Sequence, residues 1–380
     1  MVVRNQLNQY EKKMVDDFYK LAADTLGRKS KPNVSYASPD SAHNFAMWAD
    51  PWNPLWNDDE YAQKSCWKAP VVPPVYLDCV VTFSFFPSLP PAGGFLTHNF
   101  LGEDWEIYRQ VYIGDSFTVE RKELAMKDIS ALDGSDKNRT FSGLFSNCEV
   151  YNQRNELVAK FKAYMDYTVW PKGLDESVIP PFQDHIYTQA EWDFINNIIK
   201  NEKIRGAVPR YWEDVKVGDE LTPCTIGPTT PWDMIAFTAA RQETPFWPMR
   251  RWRETAPMGL LAVDLVTNVT HMAPEWHIVG ERARVMGDPR SFHYFASAKT
   301  QMIRLISNWM GDAGLITALK CRHLRRTYIG DTQVVRGKVI GKRIENGEYL
   351  ADLDVWMDNM CRGNVTESTI ATVSLPLKGQ

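Results

Sequence analysis

Tyr112-Ile113-Gly114-Asp115 returns unchanged as Tyr328-Ile329-Gly330-Asp331. In both copies an arginine, Arg109 or Arg325, stands three residues ahead of the Tyr. A hydroxyl residue and a strand-like run then follow, Ser116-Phe117-Thr118-Val119 and Thr332-Gln333-Val334-Val335. From residue 112 to residue 328 is 216 residues, far beyond a solenoid period, so the repeat predicts a duplicated domain rather than an array. A chain of 380 residues has room for two such units, each with its own core.

The second copy is the easier to read. Asp288-Pro289 has the form of a helix N-cap followed by proline at the first helical position. Apolar residues then recur at Phe295, Ala298, Met302, Ile303, Ile306 and Trp309, a helical stripe that Gly311 and Gly314 close. After a short strand and the Tyr-Ile-Gly-Asp turn, Asn346-Gly347 predicts a type I′ hairpin and Arg362-Gly363-Asn364 a further turn. Carrying the 216-residue offset back, Pro73 matches Pro289 and Val75 to Phe86 takes the long-helix position. Its own strands are expected around 106–108, 116–123, 143–151 and 157–168. Each half is then a long buried helix followed by an antiparallel meander, an α+β pattern. The expected division is an N-terminal helical segment 1–40, a first unit 41–170, a linker with an amphipathic helix 171–208, and a second unit 209–380.

Composition excludes several classes. A hydrophobic fraction of 44% with 24% charged residues is that of a globular protein. A net charge of −4 gives no global attraction for nucleic acid or an anionic membrane. Six cysteines without a CxxC pair, and no N-terminal signal peptide, point to reduced thiols and a cytoplasmic protein. The seven histidines show no metal-ligand spacing, and no Gly-rich loop suggests a phosphate cradle, so neither metal nor cofactor is expected.

Arg210-Tyr211-Trp212-Glu213-Asp214-Val215-Lys216-Val217-Gly218-Asp219-Glu220-Leu221, taken with both Tyr-Ile-Gly-Asp strands, resembles the MaoC-like acyl dehydratases. So do Asn53-Pro54-Leu55-Trp56, Asp58-Asp59-Glu60-Tyr61-Ala62 and Asn308-Trp309-Met310-Gly311-Asp312. The resemblance runs from about Ser41 to Leu377 and implies a tandem, double hotdog fold. It also implies a hydratase or dehydratase acting on an acyl-CoA or acyl-carrier thioester, with a small-molecule substrate as its partner. Assembly is expected as a homodimer or a pseudo-dimeric monomer. In that chemistry backbone N–H groups at the start of the long helix polarise the thioester carbonyl, which here places the donors around Arg290 to His293.

The catalytic pattern of that family, Asp-Xaa-Asn-Pro-Xaa-His, is altered in both halves. The first reads Pro51-Trp52-Asn53-Pro54-Leu55-Trp56, with Asp50 one step early; the second reads Gln242-Glu243-Thr244-Pro245-Phe246-Trp247. Tryptophan donates through its indole N–H but shuttles no proton. Substitute acid/base candidates are His293 at the helix start, Glu243 beside the lost Asp, His277 in Pro274-Glu275-Trp276-His277, and Asp50. Candidate substrate-binding residues are Trp247, Trp56, Asn53, Arg290, Tyr294 and Trp309. The tryptophans clustered near the motifs read either as the wall of a bulky or aromatic acyl pocket or as core filler. A thioesterase or other lyase of the same fold, and a non-catalytic acyl-thioester-binding subunit, remain alternatives.

Overall fold

The structure is a computed structural model that describes residues 16, 20, 26–32, 34–81, 95–128, 139–170, 179–242, 261–263, 270–285 and 287–379. The strands in chain order are β1 (Lys29–Ser30), β2 (Phe95–Ile107), β3 (Phe117–Asp128), β4 (Arg139–Asn152), β5 (Leu157–Trp170) and β6 (Cys224–Ile226). They continue as β7 (Leu261–Val263), β8 (Thr270–Met272), β9 (Leu315–His323), β10 (Gln333–Glu345), β11 (Glu348–Asn359) and β12 (Asn364–Ser374). The α-helices are α1 (Pro39–Ala49), α2 (Pro54–Asn57), α3 (Asp59–Lys64), α4 (Leu77–Val81), α5 (Gln189–Asn201), α6 (Pro231–Ala240), α7 (Gly280–Val285) and α8 (Phe295–Met310).

The duplication is literal in the sheet. One ten-stranded sheet runs β1-β3-β4-β5-β2-β9-β12-β11-β10-β6, so each half contributes a three-stranded meander, β3-β4-β5 or β10-β11-β12, with the preceding long strand, β2 or β9, added beside its last strand. The halves join where β2 lies antiparallel to β9, Gly102 facing Arg322 and Glu106 facing Ala318. At that seam Gly102 sits on a bulge, and a Cβ there would come 2.2 Å from the Cys321 carbonyl oxygen. Only glycine lets the two backbones approach this closely. β1 pairs with β3 just as β6 pairs with β10, so residues 29–30 of the segment expected to be a separate helical extension belong to the first sheet.

Both Tyr-Ile-Gly-Asp segments are the same turn, closed the same way. Asp115 N–H donates to the Tyr112 carbonyl at 3.1 Å and Asp331 N–H to that of Tyr328 at 3.0 Å. Each Asp side chain accepts from the N–H of its own Tyr, at 3.0 and 3.2 Å. Gly114 and Gly330 have φ of 103° and 97°, which explains the glycine. Arg109 and Arg325 are exposed, and each bonds a carbonyl of a neighbouring strand. The β10–β11 hairpin has Asn346 and Gly347 at φ of 51° and 82°, as a type I′ turn requires. The linker helix α5 starts at Thr188 with a complete capping box.

The long helix corrects one expectation. α8 begins at Phe295 behind an N-cap at Tyr294, so Asp288-Pro289 does not start it. Each turn bridges the segment ahead of its helix, Tyr112 to Val71 in the first half and Tyr328 to Phe292 in the second. Those two positions are 221 residues apart, not 216. The loop between helix and turn thus differs by five residues between halves, and the 221-residue offset pairs Pro74 with Phe295, the first residue of α8. In the first half, Pro74–Tyr76 form a 3-10 turn leading into α4; the remainder of the expected helix, from Thr82, lies outside the described residues.

A contiguous core joins both halves, from Phe45, Tyr76 and Phe161 to Met302, Ile306 and Leu353, so the halves do not own separate cores. Inside it Lys299 of α8, 1% exposed, meets Asp78 of α4 at 2.6 Å and also Glu103 of β2. Burial alone would push the ammonium down; the two carboxylates raise it instead. Burial also raises Glu103, an effect that Lys299 only partly offsets. Lys299→Met strands two buried acids and is expected to cost about 3–5 kcal/mol in urea unfolding, with Asp78→Asn and Glu103→Gln added together recovering most of it. A Lys299→Met chain as stable as the parent would show that the triad does not join the halves.

Candidate active site at the start of the long helix

α8 is surrounded by its own sheet and by the first half, and even Ser297, Thr300 and Gln301 on it are buried. Its first turn therefore offers N–H groups away from bulk water. Ala298 N–H already bonds the Tyr294 carbonyl at 3.1 Å, which leaves the amides of Phe295, Ala296 and Ser297 without an intrahelical partner. They carry the positive end of the helix dipole.

His293 stands two residues before Phe295 and is 4% exposed. Its backbone N–H is spent on the Thr327 carbonyl at 2.8 Å, so the His293 amide is not one of the oxyanion donors. The imidazole lies 3.5 Å from Ser297 Oγ through Nε2, while Nδ1 is buried with no hydrogen-bond partner. Burial pushes its pKa down to about 4, and nearby His323 adds to this. His293 is a neutral ring at pH 7, through burial more than through the helix dipole.

His277 is part of the same wall. Its Nδ1 lies 2.8 Å from the Phe292 carbonyl oxygen, and its ring stacks on Tyr294 at 3.7 Å. Tyr294 in turn packs on Phe237, and Phe237 on Trp48 from the first half. On the opposite flank Phe100 of β2 stacks on Phe295 at 5.1 Å. Aromatic groups from both halves therefore border the helix start.

Sequence reasoning missed a second set of polar groups here. His323, the last residue of β9, has Nδ1 2.6 Å from Glu367 Oε1, and the two are direct cross-strand partners. Leu319, Cys321 and His323 alternate onto one face of β9, which brings the His323 ring edge-on to Phe295 at 5.6 Å. Glu367 is 1% exposed, and burial raises its pKa. Arg326 approaches Asp288 at 3.4 Å, bonds Asn99 of the first half, and covers Phe292. Asp288 is raised by burial, against the pull of Arg326. The pairing of β9 with β12 places His323 opposite Glu367; spacing along the chain gives no sign of the pair.

Five of the expected site residues lie elsewhere. Asp50 is 2% exposed and faces Arg304 at 3.7 Å, nine residues along α8 from Phe295, or about 13 Å at 1.5 Å per residue. Asn53 donates to Asp50 at 3.1 Å and caps Leu55, and the Trp56 side chain also bonds Asp50. Burial raises the Asp50 carboxyl to about 6. Arg304 also pairs with Glu202 of the linker at 2.5 Å. What survives of the family motif in the first half thus anchors the long helix. Trp309 sits at the far end of α8, stacked under Arg210 at 4.4 Å. Arg290 lines an open cleft of about 460 Å³ with Phe182, Asp184, Arg284 and Pro289, and is ion-paired to Asp184. Glu243 and Trp247 lie outside the described residues. Among the described residues no His/Cys/Asp/Glu group could hold a metal ion, and no helix is long and apolar enough to cross a membrane.

The depressed His293 pKa has a consequence for stability. The unfolded chain binds a proton near pH 6.5 and the folded one only near 4, so this contribution is present above 6.5 and lost as pH falls through 4. It amounts to about 3 kcal/mol. Asp50, raised to about 6, works the other way, losing stability as pH rises from the unfolded value through 6. The test is therefore a difference: wild type minus His293→Gln in chemical unfolding should fall by about that amount between pH 7 and pH 4. A flat difference would mean that His293 is solvated.

The sequence matches no family model and no curated protein. Solved structures do match. A MaoC-like dehydratase aligns over 93% of this chain and 98% of its own, with TM-score 0.61 and 14% identity. A MaoC domain protein dehydratase from Chloroflexus aurantiacus aligns over 93% and 96%, with TM-score 0.53 and 15% identity. At such identities the likeness concerns the fold, and it spans both repeats and the linker. The chain has the double hotdog fold of the MaoC-like dehydratases.

Proposed function

We propose that this protein is a hydro-lyase that adds water to, or removes it from, the α,β-double bond of an acyl thioester at the start of α8. The observation that carries the reading is the buried first turn of that helix, where uncommitted amides meet the His293 imidazole, whose buried Nδ1 has no hydrogen-bond partner. A thioester oxygen becomes negatively charged as its α-carbon turns enolate-like, and preorganised N–H groups in a dry site stabilise that charge more than the neutral carbonyl. Neutral His293 offers Nδ1 as a further hydrogen-bonding group without bringing a positive charge.

The acyl group we assign is bulky or aromatic. Phe100 and Phe295 stack on one flank, and Tyr294, His277, Phe237 and Trp48 form the other. The phosphate-bearing carrier is assigned to the cleft of Arg284 and Arg290, the latter five residues ahead of Phe295 along the chain.

The assay is loss of enoyl-thioester absorbance with a panel of 2-enoyl-CoA compounds. Hydration of at least one bulky enoyl-CoA is expected, with His293→Ala lowering kcat by about 10²-fold. Arg290→Glu should raise KM for the CoA thioester about tenfold. Release of free thiol in place of hydration would replace this reading with thioester hydrolysis.

A further inference from the structure

We infer that His323 is the acid–base residue of this site and that Glu367 positions it, an assignment that rests on the hydro-lyase reading. Both family motif positions that would hold a catalytic histidine carry Trp, so the proton must move on another group. Of the histidines near the α8 start, His293 is a weak base because burial disfavours its charged form. His277 holds the Phe292 carbonyl and stacks on Tyr294. His323 differs from both: it has a carboxylate partner at one nitrogen only.

The geometry is that of a base with its orienting group. Glu367 Oε1, 2.6 Å from Nδ1, accepts the Nδ1 proton and leaves the Nε2 lone pair as the reactive end. Among the described residues nothing hydrogen-bonds Nε2. The strand register fixes the pair, since Glu367 is opposite His323 on β12 and both face the helix side. The ring meets Phe295, whose own amide is one of the proposed oxyanion donors. Base and donor therefore lie at the same end of the helix, and Asp288 and His293 both sense the His323 charge.

In hydration the water oxygen bonds to the β-carbon while Nε2 takes one water proton. The π pair moves toward the α-carbon and thioester oxygen, where the α8 amides hold the charge. The imidazolium then gives that proton to the α-carbon, the pair closing a C–H bond. Water has been added as H and OH, and His323 is neutral again. Dehydration runs the same steps backwards.

The experiment uses the full chain with the best enoyl-CoA of the panel. His323→Ala should lower kcat by about 10²–10⁴-fold with little change in KM, and added imidazole should restore part of it. Glu367→Gln should lower kcat and change the shape of the kcat/KM profile, because His323 loses the partner that fixes its Nδ1, while Glu367→Asp keeps most of the activity. A His323→Ala enzyme within about threefold of wild type, or a Glu367→Gln profile unchanged in shape, overturns the assignment. A second readout does not need turnover. The ¹⁵N resonance of His323 Nε2 should shift when a thioether analogue of an acyl-CoA binds, and binding without any shift also overturns it. A shift in a protein that hydrates nothing would support His323 at the site and count against the hydro-lyase reading alone.

Discussion

Lys299 is held between Asp78 and Glu103 inside the shared core, and the relation of the two halves depends on it. An ammonium and two carboxylates in such a place cost several kcal/mol each to desolvate and recover that only in one arrangement. Asp78 comes from the first half's helix, Glu103 from its seam strand, and Lys299 from the second half's helix. Sliding α8 by one turn would separate all three. The apolar contacts of the core tolerate small shifts; the ion triad does not. It fixes the depth at which α8 lies, and hence where its first turn opens.

Two polar devices at different heights divide α8 between structure and chemistry. Around Arg304, Asp50 and Glu202 tie the helix to the first half and to the linker. Asn53 and Trp56, the remnants of a catalytic motif, hold Asp50 in place. Around Phe295 the Nδ1 of His293 and the Oε2 of Glu367 are buried with no hydrogen-bond partner, as are Asp50 Oδ1 and Arg304 Nε at the other level. Buried polar atoms without partners are unfavourable, so both levels of the helix carry a cost in stability.

Much of this was legible in the chain. The Tyr-Ile-Gly-Asp turn needs its glycine and its Asp for local reasons, so both copies kept their identity and announced the duplication. Asn346-Gly347 and the Thr188 cap were readable for the same reason. The start of α8 was misplaced by a local signal, and the 216-residue offset holds for the turns but not for the helix starts, Pro74 and Phe295, which are 221 residues apart. Asp288-Pro289 looks like a cap, yet Asp288 is engaged by Arg326 and Tyr328. His323 and Glu367 escaped notice because they are 44 residues apart and meet only through the pairing of β9 with β12. Local signals encode turns and caps; a site assembled across strands is encoded in register.

Register also explains why the reactive groups collect at this end. α8 runs from Phe295 to Met310 and β9 returns antiparallel to it, so the last residue of β9 must come back to the first turn of the helix. β12 pairs with β9 and brings Glu367 level with His323, while β2 crosses the seam and brings Asn99 and Phe100 from the first half. A single hotdog half would leave the helix start open to water on the side that β2 covers. Water competes for amide donors and screens the charge they stabilise, so the duplication is what makes that first turn electrostatically useful. The second half supplies the helix start and the His323–Glu367 pair, and the first half supplies their desolvation.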